Sequence, residues 1–297
     1  MTSTQQNAFN RILVIVSTGM ALSCGLAAPA AAQSYLKPTP PSHASDDTLR
    51  FEIDLLYGGY DTEIQFNDDT AIGSTPGTTI SGEEDLGLTD TEFLGQVELT
   101  LLPGEHHLVR FNGISMRRDG QTVLKRTIEF DNETYSAGER VDSFLNVSLL
   151  GLTYGYLPLL TDRYELGVTF GIQITSVSAN AEVKSRVIRE SDSGVAPLPL
   201  WGIEGRFDIT RRWSIDARVQ YITSSFLTWA LDEEAKDDVE ATIIDGRFAV
   251  RWRQNQHLIY GLGYRYFDID IVAKDTDPSG SMKIGLTGPM LFIQASL

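Results

Sequence analysis

The chain has 297 residues, 42% of them hydrophobic, a formal net charge of −16 and one cysteine, Cys24. So acidic a surface excludes nucleic acid as a partner, and a lone cysteine excludes a disulfide framework. Beyond the N-terminus no apolar run reaches helix-spanning length, which excludes a helical membrane protein and leaves a soluble β domain or a barrel.

Residues 12–32 open with Ile12-Leu13-Val14-Ile15-Val16 after Arg11 and close with Ala30-Ala31-Ala32. This is the pattern of a secretory signal peptide, residues 1–32, cleaved after Ala32. Cys24 lies inside it, and Leu22 falls one position late for lipid attachment, so acylation is not expected. Removing the signal takes away Arg11 and no acid, which leaves the mature chain one unit more negative. Residues 33–48, with Pro38, Pro40 and Pro41, read as an extended periplasmic leader or as plain disorder. The barrel domain is then 49–297.

Within that domain apolar and polar residues alternate with a period of two, the signature of β-strands. The first strand, from about Arg50, sets Phe51, Ile53, Leu55 and Tyr57 outward and Glu52 and Asp54 inward. A long polar loop follows over Asp61 to Asp90. The second strand, about 91–102, sets Phe93, Val97, Leu99 and Leu101 against Glu92, Gln96, Glu98 and Thr100, and Pro103-Gly104-Glu105 turns the chain. The third begins near His107 and carries Arg110 and Asn112 inward. A second long connection covers Arg117 to Val141, in which Thr122–Phe130 continues as strand or forms a hairpin above the bilayer. The fourth strand, about 142–158, switches parity between Leu145, Val147, Leu149 and Leu152, Tyr154, Tyr156; a bulge near Leu150 would reconcile the two.

The fifth, Tyr164 to Ser176, is the cleanest: Tyr164, Leu166, Val168, Phe170, Ile172 and Ile174 share one face. After a loop at 184–196 come a sixth strand (Trp201, Ile203, Phe207 against Glu204, Arg206, Asp208) and a seventh (Trp213, Ile215, Val219, Tyr221 against Asp216, Arg218, Gln220). The eighth sets Phe248, Val250 and Trp252 against Asp245, Arg247, Arg251 and Arg253. The ninth places Tyr260, Leu262, Tyr264 and Tyr266 opposite Gly261, Gly263 and Arg265. The tenth ends with Leu291, Ile293, Ala295 and Leu297 on one face.

Short turns alternate with long loops, apolar faces run the roughly 9–11 residues of a tilted spanning strand, and aromatics sit near strand ends. The predicted fold is all-β: a transmembrane antiparallel up-and-down β-barrel of about ten strands, with eight or twelve as neighbouring counts, in the outer membrane of a Gram-negative cell. Both termini then lie in the periplasm, and Trp201, Trp213 and Trp252 belong to interfacial girdles. A soluble periplasmic β-barrel binding protein is the alternative that alternation alone does not separate.

Hairpin register predicts the lumen. A three-residue loop at Thr210-Arg211-Arg212 makes Glu204 face Arg218 and Arg206 face Asp216, whereas a slip of two would oppose two acids. Placing Trp252 opposite Leu258 brings Asp245 opposite Arg265. With Arg247 and Arg251 these form an expected lumen salt-bridge network of Glu204, Arg206, Asp216, Arg218, Asp245, Arg247, Arg251 and Arg265. Ten strands enclose little space, so the charges read as a plug that largely fills the lumen; a narrow passive channel or porin for ions or small solutes is the competing function.

Ten strands at this length invite comparison with omptin proteases, and small barrels with lipid A acyltransferases and deacylases, which set a histidine with acids or serine on the extracellular side. Here His43 lies in the leader, and His106, His107 and His257 lie at periplasmic turns, so no general base is placed for that chemistry. No enzymatic activity, cofactor, catalytic residue or metal site is expected. The acidic loop residues Asp68, Asp69, Glu83, Glu84, Asp85, Asp232, Glu233, Glu234, Asp237, Asp238, Asp275 and Asp277 read as solvated surface, with divalent cations shared with lipopolysaccharide phosphates as the functional alternative.

Several runs carry a resemblance: Gly77-Thr78-Thr79-Ile80 followed by Glu84-Asp85-Leu86-Gly87-Leu88; Ile128-Glu129-Phe130 through Ala137-Gly138 to Val141-Asp142-Ser143; Ala196-Pro197-Leu198-Pro199; and Gly288-Pro289. With these the chain resembles a widespread group of uncharacterised bacterial outer-membrane β-barrel proteins over most of its mature length. The resemblance implies fold and location and no activity. The last strand is also similar to the signal read by the barrel assembly machinery, with Leu297 where an aromatic is usual. The expected role is structural or surface-interacting, with outer-membrane lipid, lipopolysaccharide and, during biogenesis, the assembly machinery as partners.

Overall fold

The computed structural model describes residues 47–66, 68–70, 73–75, 78–104, 106–130, 133–183, 188–223, 239–273 and 280–297. The expected signal peptide and all but the end of the leader lie outside the described residues. In chain order the strands are β1 (Leu49–Phe66), β2 (Asp68–Thr70), β3 (Gly73–Thr75), β4 (Ile80–Ser81), β5 (Thr91–Leu101), β6 (His107–Val123), β7 (Ile128–Phe130), β8 (Glu133–Tyr135), β9 (Arg140–Leu160), β10 (Tyr164–Val183), β11 (Ile188–Asp208), β12 (Trp213–Thr223), β13 (Val239–Arg253), β14 (Leu258–Ala273) and β15 (Gly280–Ser296).

Ten of them (β1, β5, β6 and β9 to β15) close one antiparallel wall, each paired with the next and β15 paired back onto β1. The small β4 adds to β1, and β2–β3 and β7–β8 are separate two-stranded hairpins. Closure is secured where the first and last wall strands meet: Thr48 and Leu49 donate their N–H groups to the Leu297 carbonyl at 2.6 and 3.0 Å. The Thr48 hydroxyl donates to the same oxygen across 249 positions of sequence. This rim also holds the short turns at 161–163, 209–212 and 254–257, so it is the one that the sequence expectation assigns to the periplasm.

The strands overshoot what a bilayer requires. β9 has 21 residues and β10 has 20, against roughly 9–11 for a tilted spanning strand. What they do with the excess is to exchange the polarity of their two faces. In the lower part of β1, Ile53, Leu55 and Tyr57 are exposed while Glu52 and Asp54 are buried; higher up, Leu56 is buried and Asp61 and Glu63 are exposed. β14 repeats it, with Leu262, Tyr264 and Tyr266 outside below and Phe267 and Ile269 inside above, Asp270 then facing out. The lower tier is apolar outside and ionic inside, and the upper tier is the reverse, the arrangement of a water-soluble barrel. For this reason the loops expected at 61–90, 117–141 and 184–196 are shorter: β1 runs on to Phe66, β6 to Val123, and β11 starts at Ile188.

This exchange corrects the reading of β9. No bulge occurs near Leu150: Leu149↔Thr175, Leu150↔Ile174 and Gly151↔Gln173 pair without interruption, as do Gly113↔Leu150 and Ile114↔Leu149 on the other side. Leu145, Val147 and Leu149 point into the barrel and Leu150, Leu152, Tyr154 and Tyr156 out of it. Parity is constant and the solvent changes. The irregularity of β9 lies lower, where Leu166↔Leu159 is followed by Val168↔Tyr156, beside Pro158, which has no N–H for the ladder.

The register of β13 with β14 is a second correction. Trp252 faces Tyr260, not Leu258, so Asp245 faces Phe267 and Arg247 faces Arg265. The cause is Asn255, fully buried, whose side-chain oxygen accepts the N–H of His257 and of Leu258 at 2.8 and 2.9 Å. That Asx turn centres the loop one residue later than the sequence suggests and shifts the register by two.

The tiers make adjacent residues respond oppositely to the same change. Val147→Asp puts an unpaired carboxylate into the apolar tier and is expected to cost several kcal/mol, abolishing the folded, heat-modifiable band on gels. Asn146→Asp, one residue away and facing outward, is expected to fold as the wild type does.

Candidate functional site

The lower lumen is spanned by guanidiniums. From β13, Arg247 reaches Glu52 on β1 at 2.6 Å and Asp54 at 3.7 Å. Arg251 reaches Glu52 at 2.8 Å, accompanied by the Gln294 side chain at 2.5 Å, and also binds Asp216. Arg218 on β12 reaches Glu98 on β5 at 2.9 Å, and Arg110 on β6 holds Glu98 at 3.1 Å and Glu204 on β11 at 2.8 Å. Arg265 holds Asp245 through two nitrogens at 3.0 and 3.1 Å and also binds Gln96. At the periplasmic mouth Arg50 joins Glu165 at 2.7 Å to Asp47 at 3.0 Å, and Arg253 reaches Asp47 at 3.2 Å.

All eight network residues named from the sequence face this lumen, and Asp245 takes Arg265 as expected, though diagonally and not directly across the ladder; the two pairs expected between β11 and β12 take other partners. Glu204 and Arg218 are cross-strand neighbours, as are Arg206 and Asp216. Nevertheless Glu204 takes Arg110, Arg218 takes Glu98, Asp216 takes Arg251, and Arg206 lies 3.7 Å from Asp208 and 3.9 Å from Glu165. The barrel is narrow enough for an arginine stem to cross it, so strands that never pair are joined. Glu52, Glu98, Arg110 and Glu165 are as central as the named eight. Alternation could place them inside, but pairs between distant strands, such as Arg50 with Glu165 and Arg218 with Glu98, lay beyond any hairpin argument. The space left among these groups is about 60 Å³, room for a handful of waters at ~10–15 Å³ each.

Above the ions the lumen is closed by apolar side chains, among them Leu56, Leu94, Met116, Phe267, Leu286 and Met290. Phe292 forms the floor of this tier. Arg247 and Arg251 lie 4.8 and 4.5 Å from its ring centre, a cation–π contact that matches ionic to apolar tier. The ring fits because its neighbour is Gly261; a Cβ there would stand 1.8 Å from Phe292 Cζ.

The wall of the upper tier is not all ladder. β5 has only 11 residues, and its pairing with β6 stops at Gln96↔Ile114. Residues 78–90 complete the wall. β4 pairs with β1 through Glu63↔Ser81 and Ile64↔Ile80, and Leu88 bridges to Gly120. Arg118, 2% exposed, anchors the segment by donating to Glu83 at 2.5 Å, to the Thr62 hydroxyl at 2.7 Å and to the Thr89 carbonyl at 3.0 Å, while its guanidinium lies 4.2 Å from the Tyr60 ring centre. The Ser143 hydroxyl donates to the Leu86 carbonyl at 2.6 Å. Gly87 has φ +66°, and Gly120 lies so close that a Cβ would meet the Leu86 oxygen at 2.7 Å. The run Glu84-Asp85-Leu86-Gly87-Leu88 thus has a structural explanation as a wall piece.

Arg126 fastens the same segment from outside, donating to Asp85 at 2.5 and 3.0 Å and to the Thr79 carbonyl at 2.6 Å. That hydrogen bond holds the Asp85 carboxyl below the usual carboxylate range. Of the acidic loop residues, Glu83 and Asp85 are therefore arginine-bound, and Asp68 and Asp69 lie in β2. Asp232, Glu233, Glu234, Asp237, Asp238, Asp275 and Asp277 lie outside the described residues. Among the described residues no group of three or more His, Cys, Asp or Glu side chains is arranged to hold a metal ion. His106 contacts the Leu157 carbonyl at 2.7 Å, His107 the Tyr154 hydroxyl at 2.7 Å and His257 the Ser296 carbonyl at 2.9 Å, all near the periplasmic rim.

Two outcomes follow for the wall segment. Arg118→Ala leaves Glu83 without its partner and is expected to destabilise the refolded barrel by about 3–5 kcal/mol in urea titrations. Because the folded pKa of Asp85 is depressed, its contribution is present at neutral pH and lost as pH falls through that value. Amide exchange of residues 80–90 should therefore accelerate on acidification in the wild type, with Asp85→Asn exchanging fast already at neutral pH and losing the acid step.

No protein-family model matches the chain, and no curated protein matches it. Solved structures show similarity of differing extent. The outer-membrane protease OmpT from Escherichia coli superposes with a TM-score of 0.56 at 9% identity, covering 88% of this chain and 100% of that one. The translocator domain of the autotransporter NalP from Neisseria meningitidis gives 0.38 at 9% identity over 99% and 98% of the two chains. The attachment invasion locus protein Ail of Yersinia pestis gives 0.32 at 10% over 84% and 98%. Together with the lipid-facing lower tier, the first of these likenesses identifies the architecture as that of a bacterial outer-membrane β-barrel.

Proposed function

We propose that the chain is a non-conducting outer-membrane barrel with a structural or surface-interaction role, delivered by a cleaved signal at 1–32 and tethered to a leader at 33–48. The observation that carries this reading is the double obstruction of the lumen. Ions meet a charge-matched mesh in the lower tier, and above it a dry apolar layer in which an ion would lose its hydration without a partner. Overshooting strands then serve to raise a rigid, water-facing platform above the lipid. The reading is non-enzymatic; the confinement of His106, His107 and His257 to the periplasmic rim, each ring against a carbonyl or a tyrosine, supports it.

Single-channel recording of the refolded barrel in a planar bilayer tests the proposal, with heat-modifiable mobility as the folding control. The wild type is expected to be silent, and Arg251→Ala to remain silent because the apolar tier is intact. Conductance is expected only once that tier is opened, as in Leu94→Ala with Met290→Ala and Phe292→Ala. Steady conductance by the wild type, with selectivity that shifts in Arg251→Ala, would establish a narrow channel instead.

A further inference from the structure

Two turns at the periplasmic rim are built alike. Residues 161–164 read Thr-Asp-Arg-Tyr and residues 210–213 read Thr-Arg-Arg-Trp. In both, the threonine hydroxyl accepts the N–H of the arginine (3.3 and 3.2 Å) and of the aromatic residue (3.0 Å in each). In both, the threonine N–H donates to the carbonyl of that aromatic, at 2.9 and 3.0 Å. Each turn so presents an arginine immediately below a lipid-facing aromatic. The Arg163 carbonyl accepts the N–H of Asp208 at 2.8 Å, which ties the first turn to the foot of β11, the strand that enters the second.

Arg163, Arg211 and Arg212 are exposed at the tips of these turns. The chain as a whole is strongly acidic, so three exposed arginines in two turns, against Asp162 and Asp208 beside them, make a local excess of positive charge. Directly above it runs an aromatic arc: Tyr164 stacks on Phe207 at 5.1 Å, Trp213 faces Trp252, and Trp252 stacks on Tyr260 at 5.9 Å. Aromatics mark the interfacial depth of a bilayer, and basic groups just beyond them stand at the phosphates.

We propose that these paired Thr-x-Arg-aromatic turns form a headgroup site for an anionic phospholipid of the inner leaflet, an assignment that rests on the outer-membrane orientation given above. A phosphodiester without its own amine neutralises the arginines, whereas a choline headgroup brings a competing cation. The turns stand two strands apart, roughly 10 Å, a span that one diphosphate headgroup or two neighbouring lipids can cover. The acyl chains would lie along Tyr164, Trp213 and Trp252.

Native mass spectrometry of the full barrel in detergent, with equimolar phosphatidylglycerol and phosphatidylcholine, tests this. A juxtamembrane basic residue contributes about fivefold in affinity for anionic lipid, so the wild type is expected to retain phosphatidylglycerol over phosphatidylcholine by at least about tenfold. Arg163→Gln with Arg211→Gln and Arg212→Gln should bring the ratio near one. Thr161→Ala with Thr210→Ala, which keeps every charge, should lower it by loosening the turns. Equal retention by the wild type overturns the proposal whatever the variants do, as does a preference unchanged in the triple variant; either result would turn the trio toward an acidic protein partner. Heat-modifiable mobility of each sample separates loss of the site from loss of the barrel, and a barrel that extracted into buffer without detergent would undo the orientation itself.

Discussion

The long wall strands of this protein must each satisfy two solvents along their own length. In the lower tier the outward residues meet hydrocarbon, so they are Leu, Ile, Val and aromatic, and the inward ones are free to carry charge. Some six residues further on, the outward residues meet water, so the polarity of the two faces exchanges while the backbone continues unchanged. Leu55 and Leu56 are neighbours in sequence, yet one is turned outward and the other is packed in the apolar core. Everything else in the architecture accommodates this exchange, from the level at which ions give way to Phe292 to the level at which the exterior becomes acidic.

Narrowness supplies the second principle. In a wide barrel an inward charge would be hydrated and its nearest partner would be a neighbour on the adjoining strand. Here the opposite wall lies within reach of one arginine side chain: Glu52 gathers two guanidiniums from β13, and Glu98 joins Arg110 on the adjoining strand to Arg218 on β12. Removing a member of such a mesh leaves its partners with fewer counter-charges in a space that holds only a handful of waters, a cost set by the unpaired charge more than by any net stabilisation from the pair. The wall segment at 78–90 follows the same logic on a smaller scale. Where β5 is too short to continue the ladder, one buried arginine, Arg118, replaces lost backbone pairing with bonds to three separate pieces of chain.

Much of the fold was legible in the sequence because the period of two is a local signal. Strand number, turn positions, the Glu204↔Arg218 and Arg206↔Asp216 register and the lipid-facing residues of β10 all follow from it. Two features resisted. The parity switch of β9 reads as a bulge if the surroundings are taken to be the same along the strand, and only the height of Leu149 and Leu150 relative to the lipid resolves it. The β13–β14 register depended on one buried side chain, Asn255, whose Asx turn a count of loop residues does not reveal. The candidate site was legible as a set of inward charges and, for Asp245 with Arg265, as a pair; most other pairs were not, because contacts such as Arg110 with Glu204 join strands that no hairpin relates.

The joint between Thr48, Leu49 and Leu297 bears on the order of events during assembly. Every other wall pairing joins consecutive wall strands, so it can form as soon as a hairpin or its neighbour is in place. The β1–β15 contact alone requires both extremes of the wall to be present, and the loop it closes is the longest available, with the largest entropic cost. Asp47, held by Arg50 and by Arg253 on β13, joins that late step, since its second partner belongs to the far half of the barrel. The ionic mesh inherits the same timing through Glu52, whose arginines come from β13. Until the β1–β15 pairing forms, Glu52 and its arginines stand on an open wall, and that pairing completes the enclosure that buries them.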